Sequence, residues 1–349
     1  MQIAGTATAF PAQYYSQEVL AAALIERWAP QFDHPEIIQR MLSRVGVDGR
    51  YLALPMERYY KMNAFGVTND AWIEVACDLG EQALCRALAR AGVETSELDA
   101  IYFVSVTGIA SPSIDARLVN RMKLPARIKR VPIFGLGCVA GAAGISRAAD
   151  YVRGFPNHAA ALVSVELCSL TWQREDTSLA NIISTGLFGD GAAAVVLTGS
   201  DWPAQGPKIL ATRSSFYNDT EDVMGWTVSE KGFQIVLSPA VPDVVDQHLA
   251  QDVDAFLVEN GLARADISTW IMHTGGPKIL TATTEALGLP QEALEASWAC
   301  LKKVGNLSSA SVLLVLDEFM YRRRPAAGTY SILAAMGPGF CAELVLLQW

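Results

Sequence analysis

Three residues far apart in the chain are of types that could work together on a thioester: Cys138, His273 and Asn306. Cys138 follows Gly135-Leu-Gly137, a tight turn that leads into a helix. A thiol at a helix N-terminus meets the positive end of the helix dipole, which favours the nucleophilic thiolate. The alternative is a packing cysteine, since free cysteine is among the most buried residue types. His273 ends an apolar run, "TWIMH", before Gly-Gly. There it is either open to a ligand or a satisfied core histidine. Asn306, in "VGNLSSASVLL", is a good helix N-cap, or a donor whose NH₂ faces a carbonyl oxygen. Taken together they offer a nucleophile, a base or proton donor, and an amide donor. Cys–His supports acyl-thioester formation, and His–Asn supports an oxyanion hole for an enolate or tetrahedral intermediate.

A repeated architecture could bring the three together. "AGVETSELDAIYFVSVTG" (91–108) and "NGLARADISTWIMHTGG" (260–276) share one pattern. In each, a helix ends at glycine, Gly92 or Gly261, and a polar linker carries an acid, Glu97 or Asp266. A short run rich in β-branched and aromatic residues follows, and then glycine. Each half continues through strand-like runs and a helix, "CVAGAAGISRAADYVRG" in the first and "NLSSASVLLVLDEFMYRR" in the second. Strands alternating with helices predict a mostly parallel sheet covered by helices. The fold expected is α/β, two duplicated halves in one layered, pseudo-symmetric body. The expected division is residues 1–200, with the nucleophile, and 201–349, with His273 and Asn306. The best boundary is "GSDWPAQGPK" (199–208). Cys138 and Asn306 would start helices and His273 would end a strand, so the seam between halves is where they can converge.

Composition narrows the partners. The 349 residues are 51% hydrophobic and only 18% charged, enough for a large core and suggestive of an oligomer. The balance of 27 Lys+Arg against 36 Asp+Glu gives a net charge of −9, which argues against nucleic acid. "RMKLPARIKR" (121–130), the densest basic stretch, reads as a solvated connection. Six cysteines lack CxxC spacing and histidine partners, so neither a metal nor any other bound cofactor is expected, and reduced thiols fit a cytoplasmic protein. The first residues lack the charge and apolar run of a signal peptide, and no apolar run is long enough for a membrane span.

"GLGCVAGAAG", "STGLFGDGAAAVV", "HTGGPKIL", "GNLSSASVLLVLDE" and "GPGF" resemble, in order and spacing, the chalcone-synthase-like type III polyketide synthases. The resemblance runs from about Ile3 to Leu347 and implies a duplicated thiolase-like fold, a homodimer, and CoA thioesters as substrates with no acyl carrier protein required. It assigns Cys138 to the starter acyl group and His273 and Asn306 to malonyl-CoA decarboxylation, with His273 paired to the Cys138 thiolate at rest. It makes Phe188 a gate, with Ile235 where plant members carry a second gating phenylalanine. Thr171 and Ser308 become cavity-lining residues, Gly337 and Gly339 the cavity floor, and Arg44 and Arg50 cations for CoA phosphates. "GIASPSIDARL" (108–118) and the run from Ser164 to Gly191 look like bacterial members that extend medium or long fatty acyl-CoA starters to alkylpyrones or alkylresorcinols. One rival is a ketoacyl synthase III-like enzyme, which condenses once onto an acyl carrier and usually shows it a basic face. Another is an HMG-CoA-synthase-like enzyme, with Glu74 as its only candidate base. A third is a non-catalytic thiolase-fold binding subunit, which would normally have lost one of the three residues.

Overall fold

The computed structural model describes residues 1–203 and 206–349; Ala204 and Gln205, inside the expected boundary segment, lie outside the described residues. In chain order the first strands are β1 (Gln2–Ala9), β2 (Gln13–Ser16), β3 (Gly49–Leu52), β4 (Leu98–Val104), β5 (Lys129–Ile133), β6 (Ala159–Leu167) and β7 (Asp190–Thr198). Then follow β8 (Lys208–Phe216), β9 (Met224–Ser229), β10 (Gly232–Leu237), β11 (Ile267–Met272), β12 (Tyr330–Gly337) and β13 (Cys341–Gln348). Nine of them form one sheet in the order β11-β12-β13-β8-β1-β7-β6-β4-β5. The order reads outward in matching sequence from the β8/β1 seam, which is the duplication expressed as topology. β5 is the one strand without a counterpart among the described residues.

The sheet is not mostly parallel. Only β4/β5, β4/β6 and β11/β12 run parallel; the five pairs between β6 and β12 are antiparallel. The sequence reading followed helix–strand alternation and missed that each half closes on a strand returning beside its neighbour. β12 and β13 join through the short Pro338–Phe340 turn, which permits an antiparallel pair only.

The repeated linkers fold alike. The helix Phe65–Ala91 ends at Gly92 in the left-handed region, φ 62°, and Glu97 accepts a hydrogen bond from Glu94 N at 2.9 Å. After the helix Val241–Glu259, Gly261 has φ 72° and Asp266 accepts from Ala263 N at 2.8 Å. Each three-residue turn thus satisfies its own N–H before the strand begins.

Strand alternation sorts side chains into layers. On β6, Ala159, Ala161, Val163 and Val165 face the helix Phe65–Ala91, while Ala160 and Leu162 face the helices Ala140–Gly154 and Ser311–Glu318. On β12 and β13, Leu333, Ala335, Val345 and Leu347 meet the same two helices from the other side. Ile332, Ala334, Leu344 and Leu346 pack outward, under Val241–Glu259. The two central helices therefore lie between the inner faces of the two half-sheets. Their approach is close: a Cβ on Gly141 would collide with the Ser309 carbonyl oxygen. Gly141→Ala is accordingly expected to cost about 1–3 kcal/mol through overpacking, read as a lowered Tm with activity lost in parallel. An unchanged Tm would show that the two helices have room to separate. No helix among the described residues is long and apolar enough to cross a membrane.

Candidate active site

The turn before Cys138 forms as its glycines predict. Gly135 and Gly137 take φ 96° and 53°, which suits residues without a Cβ. They lead into the short turn Gly137–Val139 and the helix Ala140–Gly154. Cys138 is 5% exposed. Its Sγ donates to Ser308 Oγ at 3.6 Å, its hydrogen-bond contact among the described residues, and not to His273. Burial pushes the thiol up to about 12, against which its hydrogen-bonding contacts with Ser308 and Asn306 pull down and the nearby Glu166 charge pushes further up. The expected activation by a helix dipole therefore loses to desolvation at rest.

His273 follows β11, its N–H donating to Ala334 O at 3.0 Å. The ring is 8% exposed, Nδ1 has no partner, and burial pulls its pKa down to about 4. Burial thus favours the neutral form of both Cys138 and His273, and the contact recorded for Sγ among the described residues is with Ser308.

Asn306 does not cap a long helix. It pairs with Phe188 in an isolated parallel bridge. Its Oδ1 accepts from Ser308 N at 2.8 Å and from Ser311 Oγ at 3.2 Å. Those contacts fix the amide's orientation, so Nδ2 points the other way, toward Gly275 O at 3.3 Å beside His273. Capping and presentation of an NH₂ thus coexist in one residue. Ser308 holds φ 46°, a strained position for a residue with a Cβ.

Two chambers meet here. The smaller, about 410 Å³, is lined by Cys138, Ser308, Thr107, Leu237 and Pro338. The larger, about 780 Å³ out to its mouth, is lined by Leu20, Leu52, Tyr59, Thr171, Trp172 and Arg50 among others. Phe188, Ile235, Cys168 and Trp226 border both. Phe188 and Ile235 therefore stand where a gate would, on the dividing wall. Trp226, opposite Ile235 on the β9/β10 hairpin, was not singled out from the sequence. Gln173 Nε2 ties that hairpin down through Lys231 O and Phe233 O, at 3.0 and 3.1 Å.

Several expected residues fall elsewhere. Thr171 lines the larger chamber, but its hydroxyl is spent on Cys168 O at 2.8 Å. Gly337 and Gly339 line neither chamber; Pro338 between them does. Gly337 instead lies under the turn that carries Cys138, where a Cβ would come within 2.6 Å of Val139 N. Arg44 is exposed just after the helix Glu36–Ser43. Arg50 is 3% exposed, so it cannot meet a phosphate at the surface. Its Nη1 donates to Thr185 O and to Phe188 O, the latter at 2.8 Å, at the end of the helix Leu179–Leu187. In the basic stretch 121–130, Arg121, Arg127 and Arg130 each pair with a carboxylate, in keeping with a solvated connection. Glu74 is exposed on the helix Phe65–Ala91, away from both chambers.

Glu166 was missed. It is fully buried on the inner face of β6 and accepts from Ser309 Oγ, Thr107 Oγ1 at 2.9 Å, Val106 N at 3.1 Å and Ser105 Oγ at 3.3 Å. Desolvation outweighs these four donors and raises its pKa to about 7. The available signal was a lone acid inside an apolar strand, "AAALVSVEL". Among the described residues no cluster of His, Cys, Asp and Glu could hold a metal.

A duplicated, layered α/β body with a buried thiol at a glycine turn, facing an asparagine from the other half, defines the thiolase-like condensing enzymes as the class. "Chalcone and stilbene synthases, N-terminal domain" matches residues 2–202, and the C-terminal domain of the same family matches residues 208–349. The chain is 49% identical over 99% of its length to a 1,3,6,8-tetrahydroxynaphthalene synthase of Streptomyces peucetius subsp. caesius, covering 93% of that protein. It is 35% identical over 98% of its length to a putative chalcone synthase of Bacillus subtilis, covering 97% of it. The crystal structure of 1,3,6,8-tetrahydroxynaphthalene synthase from Streptomyces coelicolor A3(2), described as a bacterial type III polyketide synthase, superimposes with a TM-score of 0.95 at 30% identity, covering 100% of this chain and 99% of that one. The chain belongs to the chalcone and stilbene synthase family and is a type III polyketide synthase, a malonyl-CoA-condensing acyltransferase. Membership of that family displaces the ketoacyl synthase III and binding-subunit alternatives.

Proposed function

We propose that the protein builds a polyhydroxylated aromatic from malonyl-CoA, with Cys138 as the attachment point. The observation that carries this is the position of Cys138 on the smaller chamber, with a second, larger chamber across the Phe188–Ile235–Trp226 wall to take a chain as it lengthens. Cys138 Sγ attacks the thioester carbonyl of the starter, its proton passes to His273 and from there to the departing sulfur, and coenzyme A leaves as its thiol. Malonyl-CoA then loses CO₂ beside His273 and Asn306, whose N–H groups stabilise the enolate oxygen. The enolate carbon attacks the acyl-Cys138 carbonyl, the thiol is released, and the chain has grown by one two-carbon unit. Repetition and ring closure follow. The division of labour between residues 1–200 and 201–349, with Arg44 meeting a CoA phosphate, belongs to the same reading. So does a homodimer, supported by exposed Val131 and Phe134 on and just after β5, the open edge of the sheet. The naphthalene-type product is favoured by the peucetius relative, whose name describes one.

A second reading has a specific observation behind it. The walls around Leu20, Leu24, Leu52, Met56 and Ile235 suit a medium or long alkyl chain, and such a starter would give an alkylpyrone or alkylresorcinol. Mass spectrometry of products from labelled malonyl-CoA, alone and with starters from acetyl- to stearoyl-CoA, without a carrier protein, separates the two. A labelled aromatic from malonyl-CoA alone is the expected result. Products only with long starters would establish the second reading, and none without a carrier would overturn both.

A further inference from the structure

The larger chamber contains a charge that its walls do not explain. Arg50 is buried, and among the described residues no carboxylate lies within ion-pair distance of it. Asp190, its acidic neighbour, spends its oxygens on Ala53 N at 2.5 Å, Ser169 N at 2.8 Å and Ser169 Oγ. Arginine is almost never fully buried without a partner, because an uncompensated charge in a low dielectric is costly. The partial negative charge at the end of the helix Leu179–Leu187 answers part of this, through Nη1 and the carbonyls of Thr185 and Phe188. Nε is buried with no partner, and the hydrogen bonds Arg50 makes among the described residues both come from Nη1. Two more residues of the same chamber hold buried, unpartnered donors, Ser184 Oγ and Trp172 Nε1. An alkyl chain would leave all of them unsatisfied.

We propose that the larger chamber receives the far end of the growing chain and that Arg50, aided by Ser184 and Trp172, binds a carboxylate carried there. The chain is attached through its thioester carbonyl, so its far end is the end of the starter. A malonyl-class starter keeps its second carboxylate at that end, and a fatty acyl starter ends in methyl. Arg50 is thus a specificity residue for dicarboxylic starters. The inference rests on the proposed condensation on Cys138 and narrows its starter class.

The test compares succinyl-CoA with butyryl-CoA, of equal chain length but ending in carboxylate or methyl, each with labelled malonyl-CoA as extender. Succinyl is used because its labelled products are distinct from those of the extender alone. A charge-assisted hydrogen bond of about 1.5–3 kcal/mol predicts a preference of about tenfold or more in kcat/KM for succinyl-CoA. Arg50→Gln is expected to bring that ratio near unity by lowering the succinyl-CoA value alone. Arg50→Lys is expected to retain much of it, and Ser184→Ala to reduce it a few-fold. If Arg50→Gln lowers both starters together at a constant ratio, Arg50 only holds Phe188 and the inference is overturned. Should Arg50→Gln fail to fold, an unchanged ratio in both Arg50→Lys and Ser184→Ala overturns it equally. Absence of labelled product from every starter, malonyl-CoA included, would sink the functional reading itself.

Discussion

Cys138→Ser is expected to reduce condensation by on the order of 10³-fold or more, the scale seen when a covalent nucleophile is removed. The reason is chemical before it is geometric. A serine hydroxyl is far less acidic than a thiol, and an oxyester is a poorer acyl donor to a carbon nucleophile than a thioester. The environment sharpens the effect. Burial raises even the thiol to about 12 and lowers His273 to about 4, which favours the uncharged form of each. The proton must leave Sγ as the substrate carbonyl arrives, and a hydroxyl in that dry site would give it up still less readily. Cys168 makes the experiment discriminating. It is buried, borders both chambers, and its thiol is likewise raised by burial. Intact-mass and peptide mapping after incubation with a starter acyl-CoA should place the adduct on Cys138. The adduct should persist in Cys168→Ser and vanish in Cys138→Ser. An adduct on Cys168, or full turnover by Cys138→Ser, would move the nucleophile to the chamber wall.

Much of this site was legible before any coordinates, because its parts carry local signatures. The Gly-Leu-Gly turn, the linkers closing on Glu97 and Asp266, and the strand ending at His273 depend on neighbours in sequence, and each forms as read. What was not legible depends on contacts across the fold. The resemblance made Arg50 a cation for CoA phosphates, yet β3 carries it against the end of a helix 135 residues later, where it is buried. The state of the Cys138 thiol could not be inferred from its place at a helix start, because dipole and desolvation act in opposite directions and only burial decides between them. The sheet's direction was misread for a related reason. Helix–strand alternation marks parallel crossovers, but the returns of β7 and β13 are set by which edge remains free. Glu166 shows the limit most plainly. Its own sequence marks it as an anomaly, while its partners come from residues 105–107 and from Ser309, 143 positions away.

That carboxylate provides the second large effect, on stability rather than rate. Glu166→Ala would leave four buried donors without an acceptor, at roughly 1–3 kcal/mol each before relaxation. Ser309 is among them, so the loop that carries Asn306 would loosen with it. The informative variant is Glu166→Gln, which keeps an acceptor and removes the titration. In the folded protein desolvation raises Glu166 to about 7, against 4.5 for an ordinary glutamate. The folded state therefore binds the proton more tightly than the unfolded chain, and stability falls as pH rises between those values. The contribution is fully present below about pH 4.5 and lost as pH passes 7. A shift of that size corresponds to about 3 kcal/mol. Asp190, raised to about 6, acts in the same direction, while His273, lowered to about 4, acts in the opposite one as it loses its proton. Both remain in the Gln variant, so the difference between the two proteins isolates Glu166. Denaturant unfolding at pH 5 and pH 8 should show wild type losing about 2.5 kcal/mol relative to Glu166→Gln across that interval, slightly less than the full shift because pH 5 lies above the unfolded value. A constant difference would mean that the four donors keep Glu166 ionised throughout, as a fixed negative charge beside the Cys138 chamber. The resting thiol would then be held protonated by that charge as well as by burial, and lifting the charge in Glu166→Gln would speed alkylation of Cys138 at a given pH.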